Sequence, residues 1–551
     1  MVKIGSWRRG AVGLGGLALL LLLLLEGVGA VEGSLLARAA VMGLGSERNA
    51  ESSMFCCALL SLQLGTKVSY PFSSHYKSQS QSYWSLQESL MTPTCRLTPT
   101  QPSDISLALR TLSKHHCSFA VRGGGHMAWA GAANIQDGIA IDMSAISSVE
   151  MDKGAGTVKV GAGARWDGVY DVLDGQGLGV SGGRVAGVGV AGIVIGGVLK
   201  LLLLPPWRSM KKGGRGNGNA NLTHHPDLFR ALKGGSNNFG ILTSITLRTF
   251  PQGPIWGGLI INPISTAPKQ VLALQEFVSA SASDPYASVL NVYMHTQGTD
   301  LVLSSLVHTG GEVNADSLKA FAAIGPQLMN SMRVTRIGDI ARELAAGAPN
   351  GMRQIFGTAT FGNSAALFTS ILNITDTVFA PLRNVSDLQY TTVFQPVTTA
   401  MTSKSAATGG NSMGLDPSMG NLVCTSSSFL ERSPNTTPPL TRTLPFQNIV
   451  LDINIQWPLA EHDQLITNLI HTAVSQINAL AKSMDLFNDY IYLNYAFQDQ
   501  DPIASYGEGN LEELRRVSRE VDPEGVFQRL VKGGFKLWRE EEGEYLGEAE
   551  L

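Results

Sequence analysis

Between residues 104 and 112 the sequence "DISLALRTL" spaces its apolar positions three and four apart, which predicts one face of a helix. The short apolar run "FAVR" at 119–122 predicts a strand. "GIAIDMS" (138–144) and "TVKVGAG" (157–163) alternate as half-buried strands do, the second preceded by a Lys-Gly-Ala-Gly turn at 153–156. "WDGVYDVLDGQG" (166–177) then reads as a short helix ended by glycine. Together these make Cys95 to Gly192 an α/β unit. From about Pro254 the alternating segments lengthen, as in "SVLNVYMHTQGTDLVLSSLVHTG" (288–310), where Gln-Gly-Thr-Asp predicts a hairpin turn. Residues 254 to about 480 therefore read as an antiparallel sheet with covering helices, and the Ser/Thr/Asn/Gly/Pro-rich stretch 401–443 as loops within it. Near the end, Asn510 and Glu513 predict a capping box for a helix carrying Leu511, Leu514, Val517 and Val521, stopped by Asp522-Pro523.

Composition narrows the class. A chain of 551 residues, 44% hydrophobic and 15% charged, is long enough to bury a large core. A net charge of −3 supplies no basic field, which argues against nucleic acid as a partner and for a small-molecule site. At the N-terminus, Lys3, Arg8 and Arg9 precede an apolar run from Ala11 to Leu25 and then Gly27, Gly29 and Ala30, the order of a secretory signal peptide over residues 1–30. That run falls short of the roughly 20 residues that cross a bilayer, so no membrane partner is expected. Secretion permits disulfides, and Cys56, Cys57, Cys95 and Cys117 suit two bridges whose connectivity the sequence leaves open, with Cys424 alone. Sequons at Asn221, Asn373, Asn384 and Asn435 agree with that route.

Three glycine patterns compete for a chemical meaning. G-x-G-x-x-G occurs from Gly177 and again from Gly187, but no acid that could bind a ribose lies between Asp174 and Asp227, so a Rossmann site is disfavoured. G-x-S-x-G occurs around Ser181, where a hydrolase nucleophile would need a helix at once; "RVAGVGVAG" is a poor helix former. The third pattern is "RGGGH" (122–126) taken with "VAGVGVAGIVIGG" (185–197) and "LFRALKGGSNNFGILT" (228–243). Such bare backbone lets amides approach an anion, so three runs could surround one long phosphate-bearing cofactor. His115-His116-Cys117 has no partner set for a metal, and no H-E-x-x-H occurs.

These stretches, with "VGVAG" (188–192) and the C-terminal "YLNYAFQDQDPIASYG" (492–507) and "DPEGVFQ" (522–528), resemble the berberine bridge enzyme-like flavoprotein oxidases, of the vanillyl-alcohol oxidase or p-cresol methylhydroxylase type, from about Cys56 to Trp538. The resemblance implies an α+β fold: a two-subdomain FAD-binding domain plus a substrate domain with an antiparallel sheet covered by helices. Between the signal peptide at 1–30 and the acidic tail at 539–551, both read from charge and polarity, it places an N-terminal arm at 31–90, the FAD domain at 91–252, the substrate domain at 253–480 and a segment returning to the flavin at 481–538. It implies FAD bonded through its 8α-methyl carbon to His126, with Arg122, Gly123, Gly124, Gly125 and Met127 around it. Val188, Gly189, Gly192, Gly240, Ile241 and Asn494 complete the cofactor set. Some members add a cysteinyl bond three residues before V-G-V-x-G; here Val185 stands there, so one bond is expected. Tyr495 matches the catalytic base of several relatives, with Tyr492 beside it. A phenol, ordinarily near pKa 10, would then need neighbouring positive charge or hydrogen bonds to act near neutral pH. The implied reaction is oxidation of an alcohol, sugar or secondary-metabolite C–H bond with O2 as acceptor, in a secreted protein.

The pattern breaks at 198–220. Here "VLKLLLLPPWRSMKKGGRGNGNA" is shorter than the family's segment and holds Lys200, Arg208, Lys211, Lys212 and Arg215 with no acid, as a mis-spliced gene or a variant with a damaged flavin site would read. A central strand accommodates neither Pro205-Pro206 nor such a charge run, so a strand is expected to be missing.

Overall fold

The structure is a computed structural model that describes residues 51–197, 207–213, 218–280, 284–398, 401, 409–415 and 448–538. The predicted signal peptide, Cys424, the Asn435 sequon, most of the 401–443 loop and the acidic tail lie outside them.

The chain opens with a helix over 51–64 and a small sheet of β1 (Val68–Ser69), β2 (Cys95–Leu97), β3 (Phe119–Arg122) and β4 (Ile139–Asp142), in the order β1-β2-β4-β3. β2, β4 and β3 are parallel. The crossover from β2 to β3 is the predicted helix, observed over Pro102–Lys114, with proline in its first turn where a missing N–H costs nothing. Disulfides Cys57–Cys95 and Cys56–Cys117 tie the first helix to β2 and to the approach to β3, which answers the connectivity the sequence left open.

A second, antiparallel sheet contains β5 (Val149–Asp152) and β6 (Thr157–Gly161), joined by the predicted turn. After β7 (Leu178–Gly179) come β8 (Trp207–Gly213), β9 (Gly218–Ala220) and β10 (Ile241–Arg248), giving the order β5-β6-β10-β8-β9. The expectation of a missing strand is therefore corrected: β8 pairs with β10 from Trp207 to Gly213 and with β9. Ladder bonds come from backbone groups, which Arg208, Lys211 and Lys212 supply as well as apolar residues do. Pro205 and Pro206 precede the paired stretch, so neither removes a donor from it. Lys200 and Arg215 lie outside the described residues.

The third sheet follows β11 (Phe250–Pro251). Its strands are β12 (Ile255–Pro263), β13 (Ala287–Thr296), β14 (Thr299–His308), β15 (Met329–Asn330), β16 (Arg333–Thr335), β17 (Arg353–Gly362), β18 (Gln389–Val397), β19 (Asn448–Trp457) and β20 (Phe487–Asn488). The order is β15-β12-β14-β13-β18-β19-β17-β20, with β16 also on β12, and the pairs are antiparallel. The β13–β14 hairpin turns at Gln297 and Gly298, both at positive φ as a two-residue turn requires. Val289, Tyr293, Val302, Leu306, Leu451 and Ile453 face one way, into a core shared with helices Ala267–Ala280, Ala365–Val378 and Asp463–Ser483. Val397 and Val450 face the other way and join the core of the first two sheets with Tyr490 and Tyr492.

The C-terminal helix starts earlier than predicted. It runs Glu508–Val521 from Gly507, so Asn510 is not its cap. Instead Asn510 sits in the first turn of the helix, donates to the Tyr506 carbonyl four residues before it (2.8 Å) and accepts from the distant Arg230 Nη2 (2.6 Å). It ends at Asp522, as expected.

Candidate functional site

β3 delivers its last residue, Arg122, into the Gly123–Gly125 turn. Arg122 Nη1 donates to Asp142 Oδ2 (3.1 Å) and to the Gln79 carbonyl (2.8 Å), Nη2 donates to the Ser82 carbonyl (2.8 Å), and the guanidinium lies 4.0 Å from the centre of the Tyr83 ring. Its two terminal nitrogens are thus occupied by protein, and Arg122 shapes the turn from the protein side. Gly125 sits at φ +69°, where a side chain would also strike Arg122 Nε.

The second glycine motif packs directly on the first. A Cβ on Gly124 would stand 2.4 Å from both Cα and N of Gly189, and one on Gly123 would stand 3.7 Å from Ala191 Cβ. Only bare backbone permits this approach. Gly189 is also the residue from which helix Val190–Ile195, containing Gly192, departs, while the Val188 carbonyl accepts from Trp166 N (3.1 Å). Gly240, at φ +141°, and Ile241 open β10, joined to this region through Ala162, whose N–H donates to the Thr243 carbonyl (3.0 Å). Among the described residues, no amide from Gly124 to Met127 donates to a protein acceptor. A run of free amides in a glycine-walled turn is the donor set that phosphate oxygens need, so these residues fit a dinucleotide cofactor.

His126 follows, half-buried, with Met127 beside it. Its imidazole stacks on the Trp84 indole at 4.3 Å between centroids and 9° between planes. Trp84 is itself fixed at three points: its N–H donates to the Gly125 carbonyl (2.9 Å), its indole N–H to the Ala348 carbonyl (3.2 Å), and its carbonyl accepts from Gly351 N (3.0 Å). Burial, and secondarily the charge of Arg165, depress the His126 pKa to about 4, so the ring is neutral at pH 7. Behind this loop the buried Glu88 carboxylate accepts from Ala133 N (2.6 Å) and Gly131 N (3.4 Å).

From Trp84 an aromatic column continues through Phe356 on β17 (5.5 Å) to Tyr495 (6.0 Å) and Tyr492 (4.9 Å, edge to face). Leu493–Tyr495 is a single 3-10 turn that starts from Tyr492, which brings the two rings together. Asn494 Nδ2 donates to the carbonyls of Ile193 (3.3 Å) and Gly197 (3.1 Å) and to Tyr492 Oη (2.9 Å), so the C-terminal motif grips the second glycine motif. A Cβ on Gly196 would stand 2.1 Å from Asn494 Oδ1.

Tyr495 Oη accepts from Arg184 Nη2 (2.6 Å) and donates to Gln395 Oε1 (2.8 Å), which also accepts from Arg184 Nη2 (2.6 Å). The predicted neighbouring positive charge is therefore Arg184. Even so, the net shift is upward: burial outweighs Arg184 and holds the phenol above its ordinary value. Close by on β19, Asp452 is buried with no partner on Oδ1. Burial raises its pKa to about 8, against the charge of Arg184.

Trp84, Arg184, Gln395 and Asp452 were not identified from sequence. An acid inside the apolar run "NIVLDINIQW" was the one available signal, because an unpaired buried carboxyl is costly without a role. Ser181, by contrast, is fully buried, and no helix follows it until Val190, so the strand-turn-helix geometry of a hydrolase nucleophile is absent.

A glycine-walled turn with free amides, packed on a second glycine turn, fits a dinucleotide cofactor, and its relatives make the chain an FAD-binding α+β oxidoreductase. The FAD binding domain family matches residues 93–201. FAD-dependent monooxygenase sdcF of Emericella nidulans is 34% identical over 505 residues, covering 88% of this chain and 99% of that one. FAD-dependent monooxygenase tpcD of Cochliobolus heterostrophus is 32% identical, covering 87% and 93%. Among solved structures, Physcomitrella patens BBE-like 1 (TM-score 0.67, 16% identity, 88% and 99% covered) shares the fold. So does the xylooligosaccharide oxidase of Myceliophthora thermophila C1 (TM-score 0.64, 18% identity, 88% and 99% covered). The chain belongs to the family of FAD-dependent oxidoreductases that includes sdcF and tpcD.

Proposed function

We propose that this protein is a secreted oxidase that holds FAD by a single bond to His126 and uses Tyr495 to take a proton from a hydroxyl-bearing small molecule. The observation that carries the reading is the column His126–Trp84–Phe356–Tyr495, which ends on the Arg184–Tyr495–Gln395 set. A neutral imidazole can act as a nucleophile, and His126 is neutral across the physiological range. Gly123, Gly124, Gly125 and Met127 would hold the diphosphate through their amides. Gly189 and Gly192 would keep the second wall close, and Val188, Gly240, Ile241 and Asn494 would support its far side. Val185 offers no thiol for a second link.

Bound FAD would supply the hydride acceptor and the route of electrons to O2. Arg184 donates to Tyr495 Oη and stabilises its phenolate, while Gln395 fixes the direction of the O–H. The phenolate takes the substrate O–H proton as the carbinol C–H leaves with its electron pair, so one proton and one hydride depart together. Tyr492, edge-on to Tyr495, holds that ring in place. Buried Asp452 lies in the field of Arg184 and Tyr495 and stays largely protonated below pH 8, so it adds little negative charge beside the phenol.

Secretion is supported by two disulfides and by the basic, apolar and small order of residues 1–30. The test is the visible spectrum before and after acid precipitation. Wild-type protein stays yellow after denaturation and His126→Ala does not; wild-type colour lost into the supernatant rejects the bond. Stoichiometric hydrogen peroxide, with no 18O entering the product, identifies an oxidase, whereas labelled product rejects that assignment.

A further inference from the structure

Two arginines flank the turn that carries the free amides, and the fold treats them differently. Arg122, at the end of β3, is matched in charge by the buried Asp142 carboxylate and is held further by the carbonyls of Gln79 and Ser82. Arg165 has no such match. It immediately precedes the helix Trp166–Asp174, and its backbone bridges Gly189 in antiparallel fashion. On either side of that bridge Trp166 N donates to the Val188 carbonyl (3.1 Å) and Val190 N to the Ala164 carbonyl (2.9 Å). The segment that carries Arg165 is thus stitched to the glycine wall that meets Gly124.

The Arg165 side chain is half-buried. Its Nη1 donates to the Gly187 carbonyl, while Nε and Nη2 donate to no protein group among the described residues. Nor does a carboxylate there pair with it: Asp142 is taken by Arg122, and Asp167 Oδ1 accepts from Gly187 N (3.2 Å). Its charge is nevertheless close enough to His126 to depress the pKa of that ring. Keeping a cation partly out of water with no counter-ion is costly, and the cost is recovered when an anion arrives. Amides point partial charges at an anion, whereas a guanidinium brings a full charge and a planar fork that matches phosphate oxygens.

We propose that Arg165 is the counter-ion of the cofactor's diphosphate, sharing its oxygens with the amides of Gly124 to Met127, and that this charge makes the chain prefer a dinucleotide flavin to a mononucleotide or a bare flavin. The bond from Nη1 to Gly187 holds the fork before the ligand arrives, which lowers the entropy lost on binding. The inference rests on the 123–127 turn being the diphosphate seat, and it is independent of the His126 bond and of Tyr495.

The test is titration of flavin fluorescence, with FAD, FMN and riboflavin, at low and at high salt. Full-length His126→Ala protein freed of flavin is the parent, so that no bond to the ring hides the affinity. In Arg165→Gln the affinity for FAD falls by about 30-fold, that for FMN falls less, and that for riboflavin does not change. The salt dependence of FAD binding flattens at the same time. Arg165→Lys, which keeps the charge and loses the fork, recovers part of the FAD affinity. Equal losses for the three flavins overturn the inference and leave Arg165 as a brace for the Gly187 loop; so does an unchanged FAD affinity. Should Arg165→Gln fail to fold, Arg165→Lys decides, by weakening FAD and sparing riboflavin or by treating the two alike. A parent that binds FAD no more tightly than riboflavin rejects the diphosphate seat itself, whereas one that prefers FAD and is indifferent to Arg165→Gln rejects Arg165 alone. If the parent cannot be freed of flavin, the 31P spectra of wild-type and Arg165→Gln holoprotein decide: displaced diphosphate resonances uphold the contact, and superimposable ones overturn it.

Discussion

At the scale of single residues, the site is governed by the cost of keeping charge out of water. Asp452 has a folded pKa raised to about 8, so the folded state binds more protons than the unfolded one between its ordinary value and 8. Stability contributed here therefore falls as pH rises through that window. Asp452→Asn should raise unfolding stability by about 3 kcal/mol or more at pH 9 and by little at pH 4, checked by denaturant titration at the two values. Arg184→Gln removes the cation that opposes burial at Tyr495, so the pH profile of kcat/KM should move alkaline and kcat at pH 7.5 should fall by about 100-fold. A fall in kcat with an unmoved profile would deny Arg184 that role. Trp84→Ala frees the face of His126, and the fraction of acid-stable flavin should drop well below half, with Trp84→Phe restoring much of it through a ring of similar placement.

Secondary-structure elements divide into those that local pattern announces and those that tertiary partners create. The Pro102–Lys114 helix, the β5–β6 turn and the β13–β14 hairpin were all readable, because apolar period and turn chemistry act within a few residues. β8 was not readable. Its ladder to β10 and β9 is a long-range backbone arrangement to which side-chain type is nearly indifferent. The start of the last helix was misplaced as well: Asn510 lies in its first turn, bonded to Tyr506 and to the distant Arg230. Element contacts also set what glycine can become. Gly124→Ala must separate the two glycine turns, whose backbones would lie 2.4 Å from the new Cβ, so it should destabilise the fold by about 2 kcal/mol or more and weaken flavin retention. Gly192→Ala, where the new Cβ meets no protein atom within 4 Å, should leave the stability of the fold nearly unchanged, so a loss of flavin in that variant reports on cofactor contact alone. A thermal melt with bound-flavin absorbance compares the two directly.

For the whole molecule, the two disulfides close loops of 61 and 38 residues and pin the first helix to the small parallel sheet. On chain-entropy grounds each is worth about 4 kcal/mol, so Cys56→Ser with Cys117→Ser should lower Tm by several degrees, more than surface substitutions do. The sequence by itself determined the periodic elements and the glycine turns, and through motif resemblance the class of cofactor, because those depend on neighbours a few residues apart. What it could not determine is which distant side chains meet His126 and Tyr495: Arg184 comes from a loop before the second glycine motif, Trp84 from the N-terminal arm, and Gln395 and Asp452 from adjacent strands of another sheet. Only the tertiary structure decided those meetings. The net direction of the Tyr495 shift was decided there too, because burial is a property of everything packed around a group and no local pattern records it.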